Sequence, residues 1–147
     1  MRKFVWRLQH VLDIRKTQER KARLELFALT QKLAATRAEL LMQKKIMENI
    51  IKDLTGNNPR DRLAGQEFFM NNCHATNEKI KKLKEKIHGL ELQHKEKINE
   101  VLQLRKAEEG MEKLREEAKE QYIKEQEKIE QKELDEESRV LFVRNHC

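Results

Sequence analysis

The residues able to do chemistry are few, and their spacing does not suit it. Cys73 stands beside His74 and Cys147 beside His146. Those pairs could offer a metal mixed ligands, but adjacent side chains on a helix point apart, and the two pairs lie at opposite ends of the second half of the chain. His88 and His94 are six residues apart, whereas two histidines sharing one helical face with a metal need a spacing near i, i+4. The run Asp135-Glu136-Glu137 could in principle supply paired carboxylates, yet a general acid needs a pocket that raises its pKa, and nothing around the run builds one. No glycine-rich phosphate loop, GxSxG, HExxH or CxxC is present. The residues therefore predict no catalytic group, no cofactor and no metal, and a chain that acts through shape and binding.

The elements that position these residues are written in a seven-residue step. Leu26, Leu33, Leu40, Met47 and Leu54 follow one another at that interval, with no Pro or Gly between them. The half-step positions Ala22, Leu29 and Ile50 are apolar, while Thr36 and Gln43 interrupt the same register. This is a coiled-coil seam. Backward, Leu12, Leu8 and Val5 continue the stripe, crossed by Arg15 and Glu19. Composition agrees: of 147 residues, 39% are charged and only 5% aromatic, with one Pro and four Gly. That inventory suits a long two-faced helix better than a compact core.

The strongest punctuation is Thr55-Gly56-Asn57-Asn58-Pro59. Gly56 can take a left-handed conformation that closes a helix, Asn58 can cap the next one, and Pro59 suits its first position. A second periodic run follows, through Ile80, Leu83, Ile87, Leu90, His94, Ile98, Val101, Leu104, Ala107, Met111, Leu114, Ala118, Tyr122, Glu125 and Ile129. Two seams of one period joined by a short turn predict an all-α fold: an antiparallel two-helix coiled-coil hairpin, one elongated domain over 1–147. The expected bounds are a helix over 4–54, a turn at 55–60, and a longer helix over 61–142 with a kink or brief break at 65–77, since the stretch from Leu63 to Thr76 is less regular and holds Gly65 and two Asn. If Leu54 faces Pro59, facing residue numbers sum to about 113, Phe4 lies opposite Glu109, and everything beyond about 110 overhangs.

Charge is uneven along this frame. Residues 1–23 hold eight Lys or Arg against two acids, net +6, the surplus of the whole protein. Residues 112–137 hold eleven acids against six bases, net −5. With facing numbers near 113 the two blocks miss each other and stay open to partners. No run approaches the roughly twenty apolar residues of a membrane span, and no secretory segment is read at the N-terminus. Cys73 and Cys147, if on one helix, would stand roughly 110 Å apart and could not bridge. These features place the chain in the cytosol.

The basic stretch Arg15 to Arg23 running into a leucine series has the layout of a basic-zipper factor, but it lacks an Asn to read adenine. The other alternative is a basic amphipathic N-terminus, bearing Phe4 and Trp6, lying on an acidic membrane surface.

The two ends together resemble the flagellar export protein family FliJ. The opening Phe4-Val5-Trp6-Arg7-Leu8-Gln9-His10-Val11-Leu12-Asp13-Ile14-Arg15 is similar to the family's start, with Trp6 where Phe is more usual. Glu112-Lys113-Leu114-Arg115-Glu116, Tyr122 and Glu130-Gln131-Lys132-Glu133-Leu134-Asp135-Glu136 are similar to its closing signature, with Glu137-Ser138 where small residues are more usual. The resemblance implies a non-enzymatic stalk of the flagellar type III export apparatus. Its implied partners are the hexameric export ATPase, the membrane export gate and export chaperones, with no nucleic acid and no membrane-spanning segment. It implies a cytoplasmic protein peripherally associated with the inner face of the cell membrane. Phe4, Trp6, Leu8, Leu12, Arg15, Leu114, Arg115, Tyr122, Gln131, Leu134, Asp135 and Glu136 would serve the ATPase end, and Phe68, Phe69 and Met70 the gate end. A DNA-binding zipper dimer and a scaffold of a related injectisome are the alternative readings.

Overall fold

The computed structural model describes residues 3–56 and 59–146, with side chains described at 3–53, 55–56 and 66–146. Two helices make up the fold, α1 (Gln9–Gly56, 48 residues) and α2 (Pro59–His146, 88 residues). No strand occurs among the described residues. The architecture is an all-α hairpin with the second helix the longer. Asn57 and Asn58, at the centre of the expected turn, lie outside the described residues. Gly56 does not take the left-handed conformation expected of it. It is the last helical residue of α1, and its φ is not positive. Helical structure in α2 runs unbroken through 65–77. Between Gly65 and Thr76 the sequence is only irregular in its apolar spacing, which does not break a helix on its own.

The chain divides into two units, one combining Met1–Arg20 with Leu102–Cys147, the other Lys21–Val101. In the middle unit, Ala22, Leu33 and Thr36 of α1 are buried, with Leu26, Leu29, Leu40, Gln43, Met47 and Ile50 half-buried. Opposite them Thr76, Leu90 and Val101 of α2 are buried, and Ile80, Leu83, Ile87, His94 and Ile98 half-buried. The α1 set advances by alternating steps of four and three, and the α2 set does the same except for a second step of four from His94 to Ile98, the signature of a seam that keeps facing its partner. The Leu26 series is thus occupied within its own chain, which leaves no seam for a zipper dimer. Polar Thr36 is tolerated at a buried position because its hydroxyl donates to the Lys32 carbonyl at 2.8 Å.

In the terminal unit Leu12, at 1% exposure, is the one fully buried large side chain among the described residues. The expected stripe needs correction on both arms here. Val5 is 83% exposed, and Arg15 is exposed while Lys16 sits half-buried on the seam. On α2 the seam follows Leu104, Met111, Arg115, Ala118, Tyr122 and Gln126, so Leu114, Glu125 and Ile129 are exposed. The seam keeps its seven-residue step through Ile87, His94, Val101, Glu108, Arg115 and Tyr122, whereas the expected run followed apolar residues one position off that step to Ala107 and Leu114.

Register also differs from expectation. Phe4 meets Tyr122, Gln9 meets Arg115 and Lys16 meets Glu112 in the terminal unit. In the middle unit Glu25 meets Lys97, Thr30 meets His94 and Arg37 meets Glu91. Facing numbers therefore sum to about 125 in both units, not about 113. A slide of about three helical turns leaves apolar stripe facing apolar stripe, so the heptads cannot choose among such registers. The aromatic and charged contacts do. One consequence is that the basic and acidic blocks are not wholly free, because Lys16 already pairs with Glu112 at 3.5 Å.

Candidate docking surfaces

The N-terminal segment approaches α1 through a turn rather than as helix. The Gln9 amide donates to the Trp6 carbonyl and the Leu12 amide to the Leu8 carbonyl, each at 3.1 Å, so α1 starts at Gln9 and not at Phe4. This turn swings Phe4 against α2, where its ring lies 5.4 Å from that of Tyr122, tilted by 50°. The Arg115 guanidinium sits 5.9 Å from the centre of the Phe4 ring, within cation–π range. Arg115 Nε also donates to Gln9 Oε1 at 2.8 Å. Gln9, Leu12, Lys16, Glu112, Arg115 and Glu116 together line a groove in this unit. Arg115 therefore links the aromatic pair to the first turn of α1.

Buried Glu19 completes the terminal cluster, with Arg105 3.7 Å away. A buried carboxylate loses hydration that only a charged or donating neighbour replaces, so this pair tolerates little change. In the middle unit, half-buried Lys97 is tied to both Glu25 and Glu100, the latter at 3.0 Å. The Lys97 ammonium holds the Glu25 carboxyl below its ordinary range, and bonds to Glu25 and then Glu100 hold Lys97 above its own. Thr30 donates its hydroxyl hydrogen to the Leu26 carbonyl at 2.9 Å, so its oxygen accepts from His94 Nε2 at 3.0 Å.

Of the residues that the sequence assigned to one end, the structure brings together Phe4, Leu12, Arg115 and Tyr122, with Trp6 and Leu8 half-buried in the turn before α1. These side chains pack within the chain. Arg15 and Leu114 are exposed and outside the cluster. Gln131, Leu134, Asp135 and Glu136 lie on the C-terminal part of α2, where every described residue from 127 to 146 is exposed, Leu134 at 59%. This bare length is about 30 Å of helix, against the roughly 45 Å implied by the expected register. Near the start of α2, Phe68 and Met70 are exposed and Phe69 is half-buried.

Three tying residues escaped the sequence reading: Gln9, Lys16 and Arg105. Their signal was weak, since each is polar and only the true register reveals what it faces. Among the described residues, no group of three or more His, Cys, Asp or Glu is placed to hold a metal ion. None of the described helices is long and apolar enough to cross a membrane.

The family model described as flagellar FliJ protein matches residues 3–146. No curated protein and no solved structure matches the chain.

Proposed function

This chain belongs to the flagellar FliJ family and is a component of the flagellar export apparatus, and we propose that it works there as a docking stalk. In this reading the C-terminal part of α2 enters the hexameric export ATPase, the end near Phe68 and Met70 approaches the membrane export gate, and export chaperones are further partners. It acts by binding, without catalysis, on the cytoplasmic side and peripherally at the membrane.

The observation that supports this most is the bare helix over 127–146. It is acidic through Glu137 and carries exposed Ile129, Leu134, Val140, Leu141, Phe142 and Val143. A surface helix that folds only for itself has no reason to expose so many large apolar groups in one stretch. Within the proposal, Gln131, Leu134, Asp135 and Glu136 make the contact. Phe4, Leu8, Leu12, Arg115 and Tyr122 hold the base from which that helix projects, and so contribute indirectly.

Capture of the full chain by the purified export ATPase tests this. Leu134→Ala combined with Asp135→Ala should weaken capture at least tenfold while circular dichroism shows unchanged helix content, because both residues are exposed. Unchanged capture by that variant would overturn the assignment of the contact.

A further inference from the structure

The outer face of α1 in the middle unit has no role in the hairpin. Leu24, Phe27, Leu41, Met42 and Ile46 are exposed, the first four by 61% or more. At 100° per residue Leu24, Phe27, Leu41 and Met42 fall on the side of α1 away from Ala22, Leu29, Leu33 and Leu40, which face α2, and Ile46 lies on the flank. Gln31, Ala34, Ala35 and Ala38 continue the line between the two apolar groups. Cations border it. Residues 21–46 carry six, Lys21, Arg23, Lys32, Arg37, Lys44 and Lys45, against two acids, Glu25 and Glu39. Glu25 is occupied by Lys97, and Arg37 by Glu91 at 2.9 Å. Lys32, Lys44 and Lys45 have no ion-pair partner among the described residues, while Lys21 lies near enough to Glu25 to help lower its carboxyl pKa, after Lys97.

The facing register adds to this field. Residues 79–86 of α2 lie level with about 39–46 of α1, and they contribute Lys79, Lys81, Lys82, Lys84 and Lys86 against Glu85 alone. These α2 lysines stand behind α1 as seen from the stripe, about 8–10 Å further off axis to axis, and add only a screened long-range positive potential to the face.

We propose that this face of α1 binds the surface of an anionic lipid bilayer, lying parallel to it, with Leu24, Phe27, Leu41, Met42 and Ile46 entering the headgroup boundary and the flanking lysines contacting acidic headgroups. A second copy of the chain is the competing occupant, and charge decides against it. Pairing α1 with itself antiparallel through this stripe sets Leu24 against Met42 and thereby Lys21 against Lys45. A parallel pair sets every lysine against its own copy. Like charges meet in both arrangements, and each such meeting is unfavourable. An anionic interface neutralises all of them at once. Lysine stems also reach past an apolar stripe to place their ammonium groups among headgroups. The proposal rests on the peripheral membrane placement proposed above and names the surface that makes it, and retained capture by the ATPase, which involves the other unit, separates its failure from failure of the docking reading.

Co-sedimentation of the full chain with vesicles tests it. Binding is expected to phosphatidylcholine vesicles containing phosphatidylglycerol at low salt, not to phosphatidylcholine alone, with severalfold weakening as salt rises. Lys44→Gln with Lys45→Gln should weaken binding about fivefold per lysine, and Leu41→Gln with Met42→Gln about tenfold, both variants retaining wild-type helicity. No binding to the anionic vesicles at low salt would overturn the proposal. So would binding that the Leu41/Met42 variant leaves unchanged, since attraction of any polyanion would then suffice. A wild-type dimer in sedimentation velocity that this variant abolishes would assign the face to a second copy instead. Capture of duplex DNA or polyglutamate that is equally sensitive to the apolar pair would assign it to a different acidic partner.

Discussion

Leu12 and Leu134 show how the same residue type takes opposite roles in the terminal unit. Leu12 is covered by α2 and Leu134 by nothing. Leu12→Ala is expected to cost about 2 to 4 kcal/mol in urea denaturation, the lower part of the range for buried leucine because a two-helix seam relaxes into the gap. Leu134→Ala should change stability by less than about 0.5 kcal/mol. Equal costs at the two positions would mean that the C-terminal part of α2 is packed in solution. A second expectation concerns Glu25. Lys97 holds its carboxyl pKa low, so its contribution is fully present above the ordinary carboxylate range and is lost as pH falls through the lowered value. The raised Lys97 pKa works at the other extreme, its contribution fading only as pH climbs through that raised value. Lys97→Met should therefore flatten the acid limb of a stability–pH profile below pH about 4.3, read by thermal melts. An acid limb of unchanged slope would show that this exposed pair is screened by solvent.

The all-α hairpin with its longer second helix and the seam from Ala22 to Ile50 are legible in the sequence, because steps of three and four between apolar residues admit few other solutions. Thr36 and Gln43 sit on that seam despite being polar, as the register requires. The slide of α2 along α1 is not legible. Its determinants are single contacts, such as Phe4 on Tyr122 or Arg115 on Gln9, whose partners are known only once the helices are aligned. The shift from Leu114 to Arg115 on the seam arises because polar Glu108 and Arg115 hold positions of the seven-residue step while apolar Ala107 and Leu114 stand one residue off it. Neither is the outer face of α1 obvious beside a strong leucine series, although Leu24, Phe27, Leu41 and Met42 stand in plain view in the sequence. Glycines inside α2 give a test at this scale. A Cβ built at Gly110 meets nothing within 4 Å, and the residue is exposed. Gly110→Ala should thus stabilise the helix by about 0.5 to 1 kcal/mol through reduced backbone entropy of the unfolded chain. A destabilising effect measured by chemical denaturation would reveal packing at Gly110 that the hairpin does not show.

At the scale of the whole molecule, function divides between what the hairpin covers and what it leaves bare. The seams and the Phe4–Arg115–Tyr122 cluster are covered and act as support. The C-terminal part of α2 and the outer face of α1 are bare, and they are the surfaces that the two proposals assign to partners. An isolated helical stretch of about twenty residues without a partner is marginal in water, because most helical stability in proteins comes from packing rather than propensity. Binding to the native form alone then stabilises that stretch by mass action. Hydrogen exchange on the full chain, alone and with the export ATPase, tests this division most directly. Free in dilute solution, amides of 127–146 should exchange far faster than those of the seam around Leu33 and Leu90, and they should slow at least tenfold when the ATPase is added. Strong protection of 127–146 in the free monomer, or no change on adding the ATPase, would contradict it.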